Sequence, residues 1–215
     1  MTPVIFKDKS IKDLEGLSFE AGFNWKKDNK IMDSRIGEAI FTADGLSGPV
    51  VLAASGKIAR SLPGVRLAID FFPDEDMTAL DLKLQKIFSA NSNRQVKNAL
   101  VGLLPPRLIT VLLPLVKITL EAKVNQTVKD DRRNLAKLLK SFELEVKAVE
   151  GFNKAMMTSG GVDLGEVNSS TMRSKIISNL YLAGEILDLD GPTGGFNLQL
   201  CWSTGRLAGE SAVKE

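Results

Sequence analysis

VRLAIDFFPDEDMTALDLKLQKIF, residues 65–88, changes its hydrophobic period halfway along, and this change decides the fold class. Val65–Phe71 alternates apolar and polar side chains, which is the period of a half-buried strand, and Pro73 ends the pattern. From Thr78 to Phe88 the period changes, and apolar residues recur at helical spacing among charged residues, at Leu80, Leu84, Ile87 and Phe88, with Leu82 between them. The sequence therefore predicts an α+β protein in which a strand leads directly into a helical segment.

The sequence before this stretch is rich in strand signals. Strand alternation occurs in Leu17–Trp25 and again in Gly37–Phe41, with a polar turn region at Lys26–Asp33 between them. Asp44–Pro49 has the composition of a turn, and Val50–Ala59 predicts a short helix. We expect these elements to form a β-rich domain.

The sequence after this stretch stays helical up to residue 142. Helices are predicted at Val96–Leu104, from Pro106 to Leu115, and at Val128–Phe142, where acidic residues come early and basic residues late, as the helix dipole favours. Residues 77–142 therefore read as an all-helical insertion between β segments. Glu143–Val149 returns to strand alternation.

The C-terminal third contains two further strand candidates and a closing helix. The strand candidates are Ala155–Thr158 and the short apolar run Leu180–Ala183, and the helix is Gly195–Ala212. A loop with Gly194 and Gly195 joins the second strand to the helix.

Composition excludes several classes of function. The chain has 215 residues, a formal net charge of +2, one cysteine (Cys201) and no histidine. A Ser-His-Asp or Cys-His nucleophile system cannot exist without histidine, so a hydrolase is disfavoured, and no metal site is predicted. The small net charge predicts no nucleic-acid partner. Prolines interrupt the apolar segment 99–116, so we expect no membrane partner and a cytoplasmic location.

The loop before the closing helix has the chemistry of a cofactor site. Gly194 and Gly195 lack a Cβ atom, so a flat ring or a phosphate can lie against their backbone. The first amides of the following helix point toward such a ligand and favour negative charge there. On spacing alone, the favoured interpretation is a simple turn followed by a helix that packs through its small residues.

Three motifs, in matching order and spacing, resemble the aminoacetone oxidase or BaiN-type (YhiN-like) family of FAD-dependent oxidoreductases. The first is Gly37–Pro49, which contains Phe-Thr-Ala-Asp-Gly-Leu-Ser-Gly-Pro. The second is Ala155–Val162 with Glu166–Val167 and Thr171–Lys175, and the third is Leu180–Gln199. The resemblance covers nearly the whole chain.

The resemblance implies an architecture and a domain order. Family members have a Rossmann-like FAD domain, a β-barrel-like substrate domain inserted into it, and a helical piece inserted into that barrel. The domains implied here are the first part of the substrate domain at 1–76, the helical insertion at 77–142, the second part of the substrate domain at 143–175, and the C-terminal strand and helix of the FAD-binding domain at 176–215.

The resemblance also implies where FAD would lie. It implies that the ribityl-diphosphate lies near Gly184 and Glu185. It implies that the isoalloxazine ring is bordered by Gly194, Gly195, Phe196, Asn197 and Leu198. It places Gly160 and Gly161 near the flavin from the side of the substrate domain. No residue is predicted as the catalytic acid or base.

The sequence departs from the family pattern in two ways. The family opens with a strand and a G-x-G-x-x-G loop, which this sequence lacks, and the family's histidine in the first motif is Ala43 here. The chain therefore resembles the C-terminal portion of a flavoprotein, for which we expect weak FAD binding or none without a separate N-terminal FAD domain.

Two functions remain open from the sequence. The first is a part of an FAD-dependent oxidoreductase, with or without a link to NAD(P), that transfers hydride or electrons to a small molecule. The second is a non-catalytic module that binds a partner through its helical insertion, as the apolar segment 99–116 suggests. The ordinary explanation of that segment is the hydrophobic core of the insertion.

Overall fold

The computed structural model describes residues 1–214, which form two compact units. One unit consists of residues 3–150, and the other consists of residues 151–214 together with residues 1–2. Residues 151–175 thus belong to the same unit as the C-terminal helix. The division of the chain into substrate and FAD-binding domains stays a prediction.

The unit of residues 3–150 is built on a closed barrel of six antiparallel strands. The strands are β1 (Val4–Phe6), β2 (Ser18–Lys27), β3 (Lys30–Phe41), β4 (Gly45–Ser47), β5 (Val65–Asp70) and β6 (Phe142–Val149). Their order around the barrel is β1-β4-β3-β2-β5-β6. A barrel combined with helices confirms the predicted α+β class and the β-barrel-like domain.

The alternation seen in the sequence sets which side chains fill the barrel. Phe23 and Trp25 of β2 and Leu67 and Ile69 of β5 are completely buried, whereas the residues between them are more exposed. The β2–β3 hairpin turns at Asp28 and Asn29, whose φ angles are 51° and 60°. The turn is therefore much shorter than predicted, because β2 and β3 already pair at Lys27 and Lys30.

The barrel is closed by a strand that the sequence predicts as part of a turn. β4 pairs with β1 through Leu46 and Val4 and with β3 through Leu46 and Phe41. A Cβ atom at Gly45 would overlap the carbonyl oxygen of Val4, so only glycine permits this approach. The helix α1 (Pro49–Ser61) follows directly and contacts β3.

Four helices form the predicted insertion between β5 and β6. They are α2 (Met77–Ala90), α3 (Val96–Ala99), α4 (Pro106–Leu115) and α5 (Lys129–Lys140). Most apolar residues of segment 99–116 are buried in the same core as the barrel residues; these are Ala99, Leu100, Leu104, Leu108, Ile109, Leu112 and Leu113. α3 ends earlier than predicted, and Gly102 follows it with φ of 95°. No helix within residues 1–214 has the length and apolar character needed to span a bilayer.

Helices α2 and α5 are joined by a partly buried ion pair. Arg132 donates hydrogen bonds to both carboxylate oxygens of Asp81, at 2.9 and 3.1 Å. The Asp81 and Arg132 side chains are 24% and 13% exposed. This hydrogen bonding to Arg132 holds the pKa of Asp81 below its ordinary value of 3.8.

Asp81→Asn is expected to destabilise the protein by about 1–2 kcal/mol at neutral pH, because Arg132 loses a charged bidentate partner. Since folding lowers the pKa of Asp81, the carboxylate stabilises the fold above pH 3.8 and loses this effect as the pH falls through the lowered pKa. Denaturant unfolding of wild type and variant across that pH range measures the difference. Glu145→Gln, at the exposed Lys7–Glu145 pair, is the control and should cost less. Equal stability of wild type and Asp81→Asn at neutral pH would contradict the prediction.

The second unit contains one long helix and little other regular structure. α6 (Phe196–Ala212) contributes Ala208 to a small core, whose other buried residues are Val167, Met172, Leu182 and Leu187. The strands predicted at 155–158 and 180–183 are wrong. Within residues 1–214, the second stretch makes only a single bridge, between Tyr181 and Arg173, and the first makes no ladder. A strand requires a paired neighbour along its length, and neither stretch has one.

Candidate cofactor site

The loop that leads into α6 presents bare backbone. Gly194 and Gly195 have φ angles of 105° and 90°, which side chains other than glycine rarely adopt. A Cβ atom built at Gly195 would meet nothing within 4 Å, and one built at Gly194 would meet only the Phe196 ring edge at 3.9 Å. The two glycines therefore leave open space that a flat ligand could occupy.

Asn197 holds this loop in place. Its side-chain oxygen accepts a hydrogen bond from the Gly191 amide at 2.6 Å, and its amide nitrogen donates to the carbonyl oxygens of Gly191 and Pro192 at 2.9 and 3.3 Å. The residue is 9% exposed. Because its polar atoms are already bonded to the loop, the structure gives Asn197 a positioning role.

The start of α6 has the electrostatics of an anion site. Gly195 caps the helix in the left-handed region, no side chain caps it, and its first turn carries no acidic residue. The first backbone amides of a helix have no partner within the helix, and the helix dipole adds partial positive charge there. A ligand that develops negative charge against the glycine pair would be stabilised.

A cavity of about 260 Å³ lies at this loop. It is lined by Met1, Met156, Met157, Glu185, Thr193, Gly194, Gly195, Asn197 and Leu198. Three methionines and a leucine make much of the wall apolar, and Glu185 supplies one carboxylate. The wall therefore combines surface for a flat apolar ring with a few polar groups, which is the usual pattern of a ligand pocket.

The structure brings together five of the nine predicted site residues. Those that line the cavity are Glu185, Gly194, Gly195, Asn197 and Leu198. The other four, Gly160, Gly161, Gly184 and Phe196, do not line it. Phe196 is largely exposed, and Gly160 has φ of 96° with open space beside it.

Gly161 and Gly184 make internal contacts instead. A Cβ atom at Gly161 would overlap the Ile186 carbonyl, next to the parallel bridge between Val162 and Leu187. The Gly184 amide donates a hydrogen bond to the hydroxyl of Thr204 at 2.9 Å, which fastens this segment to α6. Gly161 therefore serves close backbone packing, and Gly184 supplies a backbone conformation with φ of 74°. The predicted contact of both glycines with FAD stays a prediction.

The sequence does not single out four of the cavity residues, namely Met1, Met156, Met157 and Thr193. Met156 and Met157 were placed on a strand, which would have sent their side chains to opposite faces. In the structure they follow a short turn at Phe152–Lys154, and the Met156 amide donates to the Met1 carbonyl oxygen at 2.9 Å. The signal in the sequence that could have indicated this part of the cavity is the pair of adjacent methionines between Gly151 and Gly160.

Comparison with known proteins gives one family match and several relatives. Residues 2–157 match the family described as HI0933-like protein barrel and H2TH domain. The 3-dehydro-bile acid delta(4,6)-reductase of Clostridium scindens is 31% identical over 192 residues, which is 86% of this chain and 46% of the relative. The ribosomal RNA dihydrouridine synthase of Escherichia coli is 35% identical over 165 residues, which is 77% of this chain and 40% of the relative. The ribosomal RNA dihydrouridine synthase of Haemophilus influenzae is 31% identical over 167 residues, which is 78% of this chain and 40% of the relative.

These matches agree with the motif resemblance in the sequence. The chain spans less than half the length of each of these curated relatives. The family match ends at residue 157, and the bile acid reductase match extends over 86% of the chain. The chain therefore belongs to the HI0933-like family of FAD-dependent oxidoreductases, and residues 2–157 are its barrel and H2TH domain.

Proposed function

We propose that this chain contributes part of the flavin site of an FAD-dependent reductase, in which the ring of FAD lies against the backbone of Gly194 and Gly195. The observation that carries the proposal is the open, positive-φ glycine pair at the start of α6, on the wall of a largely apolar cavity. Any side chain larger than hydrogen at Gly195 would enter the space assigned to the ring.

The residues around the loop suit this role. Asn197 keeps the loop rigid through its bonds to Gly191 and Pro192, so the ring surface would be preorganised. The amides at the start of α6 would stabilise negative charge that develops on the ring. Met156, Met157 and Leu198 would exclude water from it. Bound FAD would supply hydride transfer, and the protein would supply orientation and electrostatics.

In this proposal, the exposed face of α6 packs against another part of the FAD-binding domain. Leu198 and Trp202 are 70% and 76% exposed, and Gly205 and Gly209 continue the same helical face. A large aromatic residue beside small ones suits close packing against another surface. We infer that the rest of an FAD-binding domain covers this face, and the relatives have more than half of their length outside the match.

The names of the relatives suggest the reaction class. One relative is named as a delta(4,6)-reductase of a bile acid, and two are named for forming dihydrouridine in ribosomal RNA. Both names describe the addition of hydrogen to an unsaturated ring. We propose the same class here, the flavin-dependent reduction of a carbon–carbon double bond.

Two substrate classes follow from those names, a small polycyclic molecule and a base in RNA. One observation favours RNA: residues 77–142 contain 12 Lys and Arg but only 4 Asp and Glu. A surface of this charge suits a polyanion and offers nothing specific to a steroid.

A chimera tests the flavin site. The segment of the Clostridium scindens relative that matches this chain is replaced by residues 1–215, and the purified chimera is titrated with FAD and followed by visible absorbance. We expect a yellow protein that holds flavin in about equimolar amount, whereas residues 1–215 alone should hold little. The intact relative is the positive control. A chimera that folds, as circular dichroism shows, but takes up no flavin would refute the proposal.

A further inference from the structure

Charge is distributed very unevenly along the chain. Residues 77–142 carry 12 basic and 4 acidic residues, a formal charge of +8, although the whole chain carries only +2. The remaining residues must therefore carry −6. Within the insertion, residues 82–120 contain no acidic residue at all. The small net charge of the chain thus results from two opposite charges that lie in different parts of the sequence.

Some of these basic residues have internal partners. Lys83, Arg132 and Lys140 form ion pairs with Glu75, Asp81 and Asp70. Arg107 donates to backbone carbonyl oxygens of the segment before β2. The others form no ion pair within residues 1–214; they are Lys86, Arg94, Lys97, Lys117, Lys123, Lys129, Arg133 and Lys137.

Two loops of the insertion bring three of these residues together. The Val96 amide donates to the Ala122 carbonyl at 2.9 Å, and the Val124 amide donates to the Arg94 carbonyl at 3.0 Å. Gln95 and Lys123 face each other in an antiparallel bridge. Segment 91–98, which includes the start of α3, and segment 122–126 therefore form one paired structure, which carries Arg94, Lys97 and Lys123.

Side-chain amides complete this surface. The amide nitrogen of Asn125 donates to the side-chain oxygen of Asn93 at 3.2 Å, and a guanidinium nitrogen of Arg94 donates to the side-chain oxygen of Asn91 at 3.1 Å. Asn93, Arg94 and Asn125 are exposed. We name Asn93, Arg94, Lys97, Lys123 and Asn125 the paired-loop patch.

The patch matches the chemistry of a phosphate backbone. Lysine, arginine and asparagine side chains donate hydrogen bonds to phosphate oxygens, and neither loop contains an acidic residue, although Glu121 immediately precedes the second loop. The hydrogen bonds between the loops fix their backbones before a ligand arrives. The apolar residues of the loops, Val96 and Val124, are buried, so the patch has no apolar group to insert into a lipid bilayer.

We propose that the paired-loop patch binds the phosphate backbone of structured RNA. The choice of RNA among polyanions rests on the proposed function, in which an RNA base is the favoured substrate. The patch would hold RNA through its backbone and so contribute affinity with little base specificity.

Fluorescence anisotropy of a labelled hairpin RNA, titrated with residues 1–215 over a range of salt concentrations, tests the proposal. The variant is the triple change Arg94→Gln, Lys97→Gln and Lys123→Gln. We expect it to bind at least about tenfold more weakly and to lower the slope of log K against log salt concentration by about 2 to 3, roughly one for each lost phosphate contact.

A charge-matched control separates a local site from an effect of net charge. The triple change Lys9→Gln, Lys30→Gln and Lys147→Gln removes the same charge from exposed positions of the barrel unit and should bind RNA like wild type. The proposal fails if wild type does not bind the hairpin, if both triple variants lose equal affinity, or if neither does. It also fails if anionic phosphatidylserine vesicles bind through the patch while RNA does not.

The RNA assay needs no flavin and no turnover, so its result is independent of the chimera experiment. Loss of RNA binding with flavin uptake intact would refute only the patch. Absence of flavin uptake with RNA binding intact would refute only the flavin site.

Discussion

Gly195→Val is expected to weaken FAD binding by the chimera on the order of a hundredfold, which corresponds to about 2.7 kcal/mol. The valine side chain would project into the space proposed for the flavin ring, which lowers the affinity for FAD. A β-branched residue at φ of 90° is also strained by about 1–3 kcal/mol, which lowers the stability of the fold and not the affinity. The measurement is the dissociation constant of FAD from quenching of flavin fluorescence, together with the flavin content of the purified protein.

Gly102→Val is the matched control for this prediction. Gly102 has φ of 95° and open space around its Cβ position, so valine there is strained to the same extent. It lies in the helical insertion, outside the proposed flavin site. We expect it to lower the melting temperature without changing FAD affinity. If Gly195→Val holds flavin as tightly as Gly102→Val does, the ring does not lie against Gly195.

Gly45→Ala is expected to destabilise the barrel by on the order of 3 kcal/mol or more, at the upper end for an overpacked site. The added methyl group would overlap the Val4 carbonyl, and it cannot rotate away because the backbone fixes the position of a Cβ atom. The pairing of β4 with β1 would have to open, and with it the closure of the barrel. Urea unfolding followed by circular dichroism measures the cost.

Gly22→Ala provides the comparison for Gly45→Ala. Gly22 also lies in a barrel strand, but the nearest atom to its Cβ position is the Cβ of Asp70, at 3.4 Å, which is close to an ordinary contact. We expect this variant to stay near wild type in stability. A barrel that tolerates alanine at both positions would show that the β1–β4 seam does not depend on glycine.

Periodicity predicted the elements whose packing is decided locally. β6 follows the alternation of buried and exposed residues, β2 and β5 follow it except where three consecutive residues are buried, and α5 follows its amphipathic pattern and its early acids and late bases. In each case, one face of the element packs into the core, so the pattern of apolar residues records the structure directly.

Elements that depend on distant partners escaped this reasoning. β1 and β4 are three residues long, too short to show a period, and they exist because barrel closure pairs them. The opposite error occurred at 155–158 and 180–183, where apolar residues do not form strands because no neighbour pairs with them along their whole length. A short apolar run becomes a strand only where the fold brings a second strand alongside it to pair with.

The candidate site was indicated by loop chemistry and by the motif resemblance together. Both pointed to Gly194 and Gly195, which line an open cavity in the structure, and their contact with FAD stays a prediction. The hydrogen bonds between Asn197 and the loop depend on loop geometry, and so does the position of the three methionines on the cavity wall. Hydrophobic periodicity does not predict loop geometry. The expectation of no nucleic-acid partner rested on the net charge of the whole chain. That value of +2 does not reveal the charge of +8 in residues 77–142, because the rest of the chain is negatively charged.

The strand pairing of the barrel has a consequence for how such a protein can be assembled from parts. β1 and β6, the first and last strands of residues 3–150, are neighbours, and the Glu150 amide donates to the Pro3 carbonyl oxygen at 2.9 Å. β5 and β6, which flank the helical insertion, also pair, with Ile69 opposite Phe142. The two ends of residues 3–150 thus lie side by side, and so do the two ends of the helical insertion, so exchanging the insertion would leave the span that the barrel must bridge unchanged. A lineage could therefore swap the helical insertion, and with it the proposed RNA-binding patch, without redesigning the barrel.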